Sequence, residues 1–205
     1  MIFFFYFTIV DTLPVVLEFA KEVLGNLLLT SKKDIDRYKN MTVKQLLKEF
    51  KIPLIKIPKY VTLARTFIKQ KADEIKMFKG LDKTVKQLKQ SGYSLYIVSS
   101  NSVDVINHLL DKYHLNSYFD SVVGGVGVFG KTVAIKGTIK RYKIDSDNVV
   151  YIGDEVRDIK AAKRLKVPIV SVTWGFNGEK VLKKNNPDAI ATKPSDIVPA
   201  VEKVI

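Results

Sequence analysis

The chain has 205 residues, of which 46% are apolar, so it can bury a core as one large domain or one domain with a smaller insert. It contains no cysteine, which excludes disulfides, thiolate zinc sites and thiol nucleophiles and makes a reducing cytoplasmic location the default expectation. The net charge is +13, and lysine supplies nearly all of the excess. Because the lysines are scattered along amphipathic segments without a dense basic tract, we interpret them as a solvated surface and do not expect nucleic-acid binding.

The first ten residues, MIFFFYFTIV, carry no charge and are apolar on both faces of an extended chain. A membrane-spanning helix needs roughly 20 apolar residues, and a signal peptide starts with positive charge, so we expect no association with a membrane. Aromatic and β-branched residues in an unbroken run are typical of a strand in the middle of a parallel sheet. The stretch is therefore predicted to be a central buried strand.

The pattern changes after Pro14, where helical periodicity dominates. Three segments have it: VVLEFAKEVLGNLL, VKQLLKEF and VTLARTFIKQKADEIKMF. No strand is predicted there, so we expect a small all-helical cap over residues 15–78, inserted after the first strand. Such an insert can cover the strand ends as a lid. Residues 1–14 and 79–205 then form the core.

The rest of the chain alternates between short apolar runs and helical patterns. Strands are predicted at Leu95 to Val98, Val149 to Ile152, in VPIVSVTWG and in DAIA. Helices are predicted at Thr84 to Gln90, Val103 to Tyr113, Lys131 to Tyr142, Val156 to Leu165 and Ser195 to Val204. This alternation predicts an α/β fold, with a Rossmann-like parallel sheet and helices on both faces. Ligands of such sheets bind beyond the carboxyl ends of the strands.

Segments at these strand ends resemble those of a known family. SSN at Ser99 to Asn101, FGK at Phe129 to Lys131 and GDEVRD at Gly153 to Asp158 are similar, in that order, to the second, third and fourth motifs of haloacid dehalogenase-like hydrolases. Within that family, the likeness is to phosphoglycolate phosphatase-type members. These have corresponding segments in the places of TIVDTLP, the helical insert and VTWGFN. The resemblance covers essentially the whole chain. It implies hydrolysis of a small phosphorylated metabolite through an aspartyl-phosphate, with Mg²⁺.

The resemblance also implies a role for the residues after the second sheet strand. Phosphoryl transfer depends on positioning and on neutralising the charge of the transferring oxygens. Ser99, together with Ser100 and Asn101 as substrate-binding residues, would hydrogen-bond phosphate oxygens. The same three residues could instead cap the helix that begins near Val103, and both roles can coexist at a helix N-terminus.

The third and fourth motifs would supply a cation and metal ligands. Lys131 is the expected catalytic cation, with Lys136 as the competing candidate. Asp154 and Asp158 lie one helical turn apart, so both carboxylates can point to the same side, as oxygen ligands of Mg²⁺ require. Alternatively, both acids complement the dipole at a helix N-terminus.

The first motif departs from the family pattern. In the resembling family the first strand ends in Asp-x-Asp-Gly-Thr, with a nucleophile, a general acid and base, and a tight turn. The alignment places Phe4, Tyr6 and Phe7 at those three positions. Phenylalanine offers no nucleophile, and a tyrosine with a pKa of about 10 is a poor acid near neutral pH. Phenylalanine also has no metal-binding oxygen, so one carboxylate ligand is missing and we expect Mg²⁺ binding to be weak or absent.

Three functional interpretations remain open. The first, which we favour, is a phosphatase-fold protein without phosphatase activity that binds a phosphorylated metabolite or a protein partner. The second is an active hydrolase that uses Asp11, the only acid near the end of the first strand, as an alternative nucleophile. The third is an altered copy of an active Mg²⁺-dependent phosphomonoester hydrolase. The identity of the substrate and the oligomeric state stay open.

Overall fold

The protein is built around a six-stranded parallel sheet. The computed structural model describes residues 1–25, 31–127 and 130–205. Its strands are Ile2–Phe4 (β1), Val10–Asp11 (β2), Lys76–Met77 (β3), Tyr96–Val98 (β4), Ser121–Val123 (β5), Tyr151–Gly153 (β6), Ile169–Val172 (β7) and Ala189–Ala191 (β8). The large sheet has the order β5-β4-β1-β6-β7-β8. β1 thus lies between two parallel neighbours, which confirms the predicted central position of the first strand.

Ten α-helices are defined within the described residues. They are Leu13–Leu24 (α1), Lys32–Lys39 (α2), Val43–Glu49 (α3), Ile57–Gln70 (α4), Leu81–Gln90 (α5), Val103–Lys112 (α6), Lys131–Arg141 (α7), Val156–Leu165 (α8), Glu179–Lys184 (α9) and Ile197–Val204 (α10). The strand order runs outward from β1 in both directions, so right-handed crossovers place helices on both faces of the sheet. The Rossmann-like fold class predicted from the alternating pattern is therefore confirmed.

The strands of the large sheet are buried because their side chains are apolar on both sides. All three residues of β1, β4 and β6 are buried. With helices covering both faces, such strands need no polar alternation. The first polar side chains follow at the carboxyl ends of β4 and β6, where the chain turns into α6 and α8.

A second, two-stranded sheet marks where the helical segment leaves and rejoins the core. β2 and β3 pair antiparallel, with Val10 opposite Met77 and Asp11 opposite Lys76. Helices α1 to α4 lie between these strands along the chain. The ends of the segment are thus side by side, as an inserted unit requires. The division into a cap at 15–78 and a core at 1–14 and 79–205 stays a proposal.

Several predicted elements differ in extent from the observed ones. The strand predicted through Val10 ends at Phe4, because the chain turns at Phe7, whose φ is 59°. The helix predicted over 61–78 ends at Gln70, and β3 follows a short 3-10 turn, so this interval is not entirely helical. The predicted first cap helix extends into 26–30, which lie outside the described residues.

Elements missed by the sequence patterns are short. α2, β5 and α9 were not predicted; they span only eight, three and six residues and offer little periodicity to detect. Across the described part of the chain, no helix combines the length and the apolar character that crossing a membrane requires.

Candidate functional site

An aromatic ring occupies the carboxyl end of β1. The ring of Phe4 lies beneath the ammonium group of Lys131, whose Nζ is 3.5 Å from the ring centroid. Both residues are only 6% exposed. A cation this close to the face of a ring is attracted by the negative charge at the centre of that face. The position that the resemblance assigns to a nucleophile therefore holds a cation–π contact.

The next position of the first motif holds a buried phenol. Tyr6 is 4% exposed, and its hydroxyl oxygen accepts a hydrogen bond from Asn101 Nδ2. Burial raises the pKa of Tyr6 well above its ordinary value, and the hydrogen bond from Asn101 offsets only part of this. The phenol consequently stays protonated near neutral pH and releases its proton less readily than an exposed tyrosine.

Two residues after Tyr6 close the turn at the sheet end. Phe7 has a φ of 59°, in the left-handed region that favours glycine. The resemblance expects a glycine at this position. Thr8 donates a hydrogen bond from its hydroxyl to Asp154 Oδ1 at 2.8 Å. The turn geometry of the first motif is thus present although its acids are absent.

The residues after β4 face the site to different degrees. Ser99 is fully buried, and its Oγ accepts a hydrogen bond from the Asn101 backbone N–H at 3.3 Å. Ser100 and Asn101 line a cavity at the strand ends, whereas Ser99 lies behind its wall. Asn101 Oδ1 accepts from the backbone N–H of Ser102, the N-cap of α6, whose own side chain makes no capping bond. A phosphate-binding role stays a prediction for all three.

Lys131 begins α7 and points into the site. Its Nζ lies 2.6 Å from Asp158 Oδ1 and 3.4 Å from Glu155 Oε2. The competing candidate, Lys136, is exposed and lines a separate cleft. Phe129, the first residue of the predicted FGK motif, lies outside the described residues. Lys131 is therefore the lysine that the fold brings to the strand ends.

Asp158 is held by donors on both carboxylate oxygens. Besides Lys131, the Tyr151 hydroxyl donates to Oδ1 at 3.1 Å. The backbone N–H groups of Asp154 and Glu155 donate to Oδ2 at 3.2 Å and 3.1 Å. Asp158 thus closes the first turn of α8, which agrees with its expected alternative role at a helix N-terminus.

Asp154 lies at the end of β6 and is fully buried. Its Oδ1 accepts from the Thr8 hydroxyl, and its Oδ2 accepts from the Phe176 backbone N–H at 2.8 Å. Burial and then the nearby negative charge of Asp158 raise the pKa of Asp154 to about 7. Two acids therefore meet in the place where the resemblance expects metal ligands.

The donor set decides how well a metal ion fits. Members of this family generally use Mg²⁺, which prefers six oxygen ligands in near-octahedral geometry. No group of three metal-ligating side chains occurs among the residues that the structure describes. Asp158 is saturated by donors, Asp154 accepts one hydrogen bond on each oxygen, and Phe4 offers a ring in place of a carboxylate. The residues as arranged do not fit a tightly held Mg²⁺, and we assign it no chemical step; ligation by Asp154 and Asp158 stays a prediction.

A cavity of about 210 Å³ opens between the strand ends and the helical segment. Its lining combines three basic side chains, two aromatic rings and polar groups from the end of β4. None of the described residues that line it carries a carboxylate. The lining residues are Phe4, Tyr6, Val61, Ala64, Arg65, Ile68, Ser100, Asn101, Gly127, Lys131 and Arg157. Four of them belong to α4, so the helical segment supplies one wall.

Sequence reasoning missed three residues of this region. Arg65 of α4 donates from Nη2 to the Val126 carbonyl at 3.2 Å, and its buried Nε has no hydrogen-bond partner among the residues that the structure describes. Arg157 pairs with Glu155 at the start of α8. Asn177 is fully buried and connects the start of α8 to the helical segment. Arg157 lies inside the GDEVRD motif and Asn177 ends the VTWGFN segment, so both had a usable signal; Arg65 offered none in the sequence.

The parallel sheet with its side chains gathered at the strand ends defines a Rossmann-like α/β protein with a site at the topological switch point. The family model described as haloacid dehalogenase-like hydrolase matches residues 1–172, so the chain belongs to that family. Curated relatives that it matches within this family are phosphoglycolate phosphatases, the type that the motifs resemble. It is 34% identical to the phosphoglycolate phosphatase of Synechococcus elongatus over 131 residues, which are 64% of this chain and 62% of that protein. It is 29% identical to that of Aquifex aeolicus over 60% of this chain and 57% of that protein. The match thus spans less than two thirds of the length of these relatives.

Solved structures resemble the whole chain. A protein described as a predicted phosphatase from Clostridium acetobutylicum superposes with a TM-score of 0.81 at 20% identity, covering 98% of this chain and 97% of that one. A protein described as a predicted phosphoglycolate phosphatase from Haemophilus somnus gives 0.73 at 17% identity, covering 97% and 95%. At these identities the likeness concerns the fold alone.

Proposed function

We propose that the protein binds a small phosphorylated metabolite at the carboxyl ends of β1, β4 and β6 and does not hydrolyse it by the aspartyl-phosphate route. One observation carries this proposal: the Phe4 ring lies 3.5 Å from Lys131 Nζ, where the family pattern calls for a nucleophilic carboxylate. A phenyl ring has no electron pair to attack phosphorus. Tyr6, with its raised pKa, is a poor substitute for the general acid.

The charges of the cavity favour an anion. Arg65, Lys131 and Arg157 line it, and no described carboxylate does. The amide of Asn101 and the hydroxyl of Ser100 can add hydrogen bonds to phosphate oxygens. A cavity of about 210 Å³ is smaller than the usual pockets of drug-sized ligands, so the part of the ligand that it encloses has only a few heavy atoms, such as one phosphate group and its neighbours.

Phosphoglycolate is the first compound to test, because the curated relatives are phosphoglycolate phosphatases. The helical segment would select the ligand, since Arg65 and three apolar residues of α4 form the wall opposite Lys131. The cytoplasmic location expected from the cysteine-free composition is part of the proposal, and a cytoplasmic pool of small phosphate esters would then be its source.

The decisive experiment compares the natural chain with a variant carrying Phe4→Asp, Tyr6→Asp and Phe7→Gly. Hydrolysis of an aryl phosphate and of phosphoglycolate is measured with and without Mg²⁺, and binding of phosphoglycolate is measured by calorimetry. We expect the natural chain to bind phosphoglycolate without turnover. The triple variant should gain Mg²⁺-dependent hydrolysis, while each single change should do little, since catalytic groups that act as a unit are strongly non-additive.

Other outcomes identify the competing interpretations. Hydrolysis by the natural chain that disappears on Asp11→Asn would favour Asp11 as nucleophile. Against that interpretation, Asp11 Oδ1 accepts from the Leu13 backbone N–H at 3.0 Å, and Asp11 does not line the cavity. A folded natural chain that binds no phosphate ester would contradict the proposal. A folded triple variant without activity would mean that more than the first motif has been lost.

A further inference from the structure

A second cleft lies beside the cavity, between α3, α7 and α8. Its volume is about 430 Å³. The lining residues are Val43, Lys44, Leu47, Leu54, Lys131, Thr132, Arg157, Lys160, Ala161 and Arg164. Half of them are basic and, within the described ranges, none is acidic. The cleft is therefore a concentrated positive patch on a chain whose other lysines are scattered.

Only part of this positive charge is neutralised by the protein. Lys131 pairs with Asp158 and Glu155, and Arg157 pairs with Glu155. For Lys44, Lys160 and Arg164, no carboxylate of the described residues lies within ion-pair distance. Three cations thus face the cleft without a compensating acid.

The arrangement of basic residues on α8 favours the binding of an anion. Arg157, Lys160 and Arg164 follow one another at spacings of three and four, so they share one face of the helix. Like charges at these spacings repel and destabilise a helix. An anionic group in the cleft would remove this repulsion and form charge-assisted hydrogen bonds with the same side chains.

The cleft and the cavity share two walls. Lys131 and Arg157 line both spaces, so a ligand held at the strand ends can extend along α8. Between the basic groups the cleft presents apolar side chains, Val43, Leu47 and Ala161, with Leu54 71% exposed at its rim. Such a surface suits the uncharged body of a metabolite between two anionic ends.

We propose that the cleft is a second anion-binding site and that the natural ligand carries two phosphate groups, one at the strand ends and one on the Lys44–Lys160–Arg164 side. This inference rests on the proposed function, because it takes the cavity as the first phosphate site. It names the substrate class: a bisphosphorylated small molecule or a short polyphosphate chain.

The test uses inorganic phosphate as the single-group probe and inorganic tripolyphosphate as the extended probe, each titrated by calorimetry into the full chain. Lys44→Gln/Lys160→Gln removes one cation from each wall of the cleft. The matched control is Lys48→Gln/Lys163→Gln, which makes the same charge change on the same two helices at positions that do not line the cleft.

We expect tripolyphosphate to bind the natural chain at least tenfold more tightly than phosphate. The cleft variant should lose about tenfold in tripolyphosphate affinity. Its phosphate affinity should fall much less, because the first cavity keeps Arg65, Lys131 and Arg157. The control should keep both affinities within about twofold, since exposed charges away from the cleft are screened.

The outcomes separate this inference from the proposed function. Phosphate binding with no preference for tripolyphosphate would overturn the second site and leave the proposed function standing. Equal losses in the cleft variant and the control would mean diffuse electrostatic attraction, which also overturns it. If neither probe binds the folded chain, both proposals are wrong.

Discussion

At the residue scale, aromatic groups lie at the two positions that the resemblance assigns to the acids of the first motif. The Phe4 ring takes the place beneath Lys131 that a carboxylate would otherwise fill. Phe7 holds a φ of 59°, which costs a non-glycine residue about 1 to 3 kcal/mol, and its ring contact with Phe176 at 5.8 Å offsets part of this. Phe7 therefore adopts a left-handed conformation at the position where the resemblance expects glycine.

Asp154 makes the stability of the protein depend on pH. Its pKa in the folded state is about 7, raised from 3.8 by burial and then by Asp158. The folded state binds this proton more tightly than the unfolded chain does. The resulting stabilisation is fully present below about pH 4 and is lost as the pH rises through about 7.

The corresponding variant is Asp154→Asn, whose amide can accept from Phe176 N–H and donate to the Thr8 hydroxyl oxygen. We expect the free energy of unfolding of the natural chain to fall by about 1 to 3 kcal/mol between pH 5 and pH 8. This range follows from the rise of ~3 units in the pKa of Asp154, part of which reflects its interaction with the neighbouring acids. The variant should lose most of that fall. Urea unfolding at the two pH values measures it.

An exposed acid serves as the control for this prediction. Asp104→Asn, in the first turn of α6, should leave the pH dependence unchanged. If Asp154→Asn keeps the full fall in stability, the pH dependence originates from other groups, and the raised pKa of Asp154 is wrong.

At the scale of elements, the start of α8 is joined to the helical segment by one side chain. Asn177 Oδ1 accepts from the Val156 N–H at 3.0 Å. Its Nδ2 donates to the carbonyls of Lys39 at 3.1 Å and Met41 at 2.9 Å. Since Asn177 is fully buried, these three bonds lie away from water. The loop between α2 and α3 is thereby fixed against the helix that carries Asp158.

Removing this side chain should destabilise the protein. Asn177→Ala leaves the Val156 N–H and the Met41 carbonyl without this partner, whereas the Lys39 carbonyl still accepts from the Gly178 N–H. The expected cost is about 2 to 4 kcal/mol in the free energy of unfolding. Asn185→Ala is the matched control, because Asn185 makes a single local bond to the Val181 carbonyl at the end of α9. Urea unfolding compares the two. A loss below about 1 kcal/mol for Asn177→Ala would mean that water replaces the three bonds.

At the scale of the whole molecule, the β2–β3 pair sets the entry and exit of the helical segment. Its paired ends suggest that the segment can be removed without separating the strands of the core. Within the segment, α1 packs on α4. Ala72 and Ile75, by contrast, are buried and belong to the core cluster, so they are retained in any truncation.

The truncated chain has a four-residue Gly-Ser linker in place of residues 13–70. We expect it to unfold cooperatively at a lower midpoint temperature than the full chain, because a core that folds alone keeps a cooperative transition. Circular dichroism during thermal unfolding measures this. The truncated chain should no longer bind phosphate. Phosphate binding by Arg65→Gln in the full chain shows how much of that loss comes from one cation and how much from the whole α4 wall of the cavity. A truncated chain without a cooperative transition would contradict a separate cap.

Part of the candidate site was predictable from the sequence, because some of its residues lie in short segments whose structure local patterns predict. Lys131, Asp154 and Asp158 follow predicted strands or open predicted helices, so their positions at one edge of a parallel sheet follow from chain order. The aromatic residues at Phe4 and Tyr6 were equally visible in the sequence, and their reading as a degenerate first motif, which needs only the alignment of a short segment, stays a prediction. Arg65 lies in no segment that a local pattern singles out, and although Asn177 ends the VTWGFN segment, its bonds to residues far away in the chain are not encoded there.

The sequence by itself determined the alternating α/β class, the central place of β1 and the absence of a carboxylate at the end of that strand, since these depend on side-chain type and periodicity along one segment. Only the tertiary structure decided that the Phe4 ring lies under Lys131, that α4 brings Arg65 over the strand ends, and that α3 and α8 form a basic cleft. Such contacts join residues far apart in the chain. Their geometry is set by how the helical segment packs on the core, and that packing is a collective result of many side chains rather than a property of any one stretch.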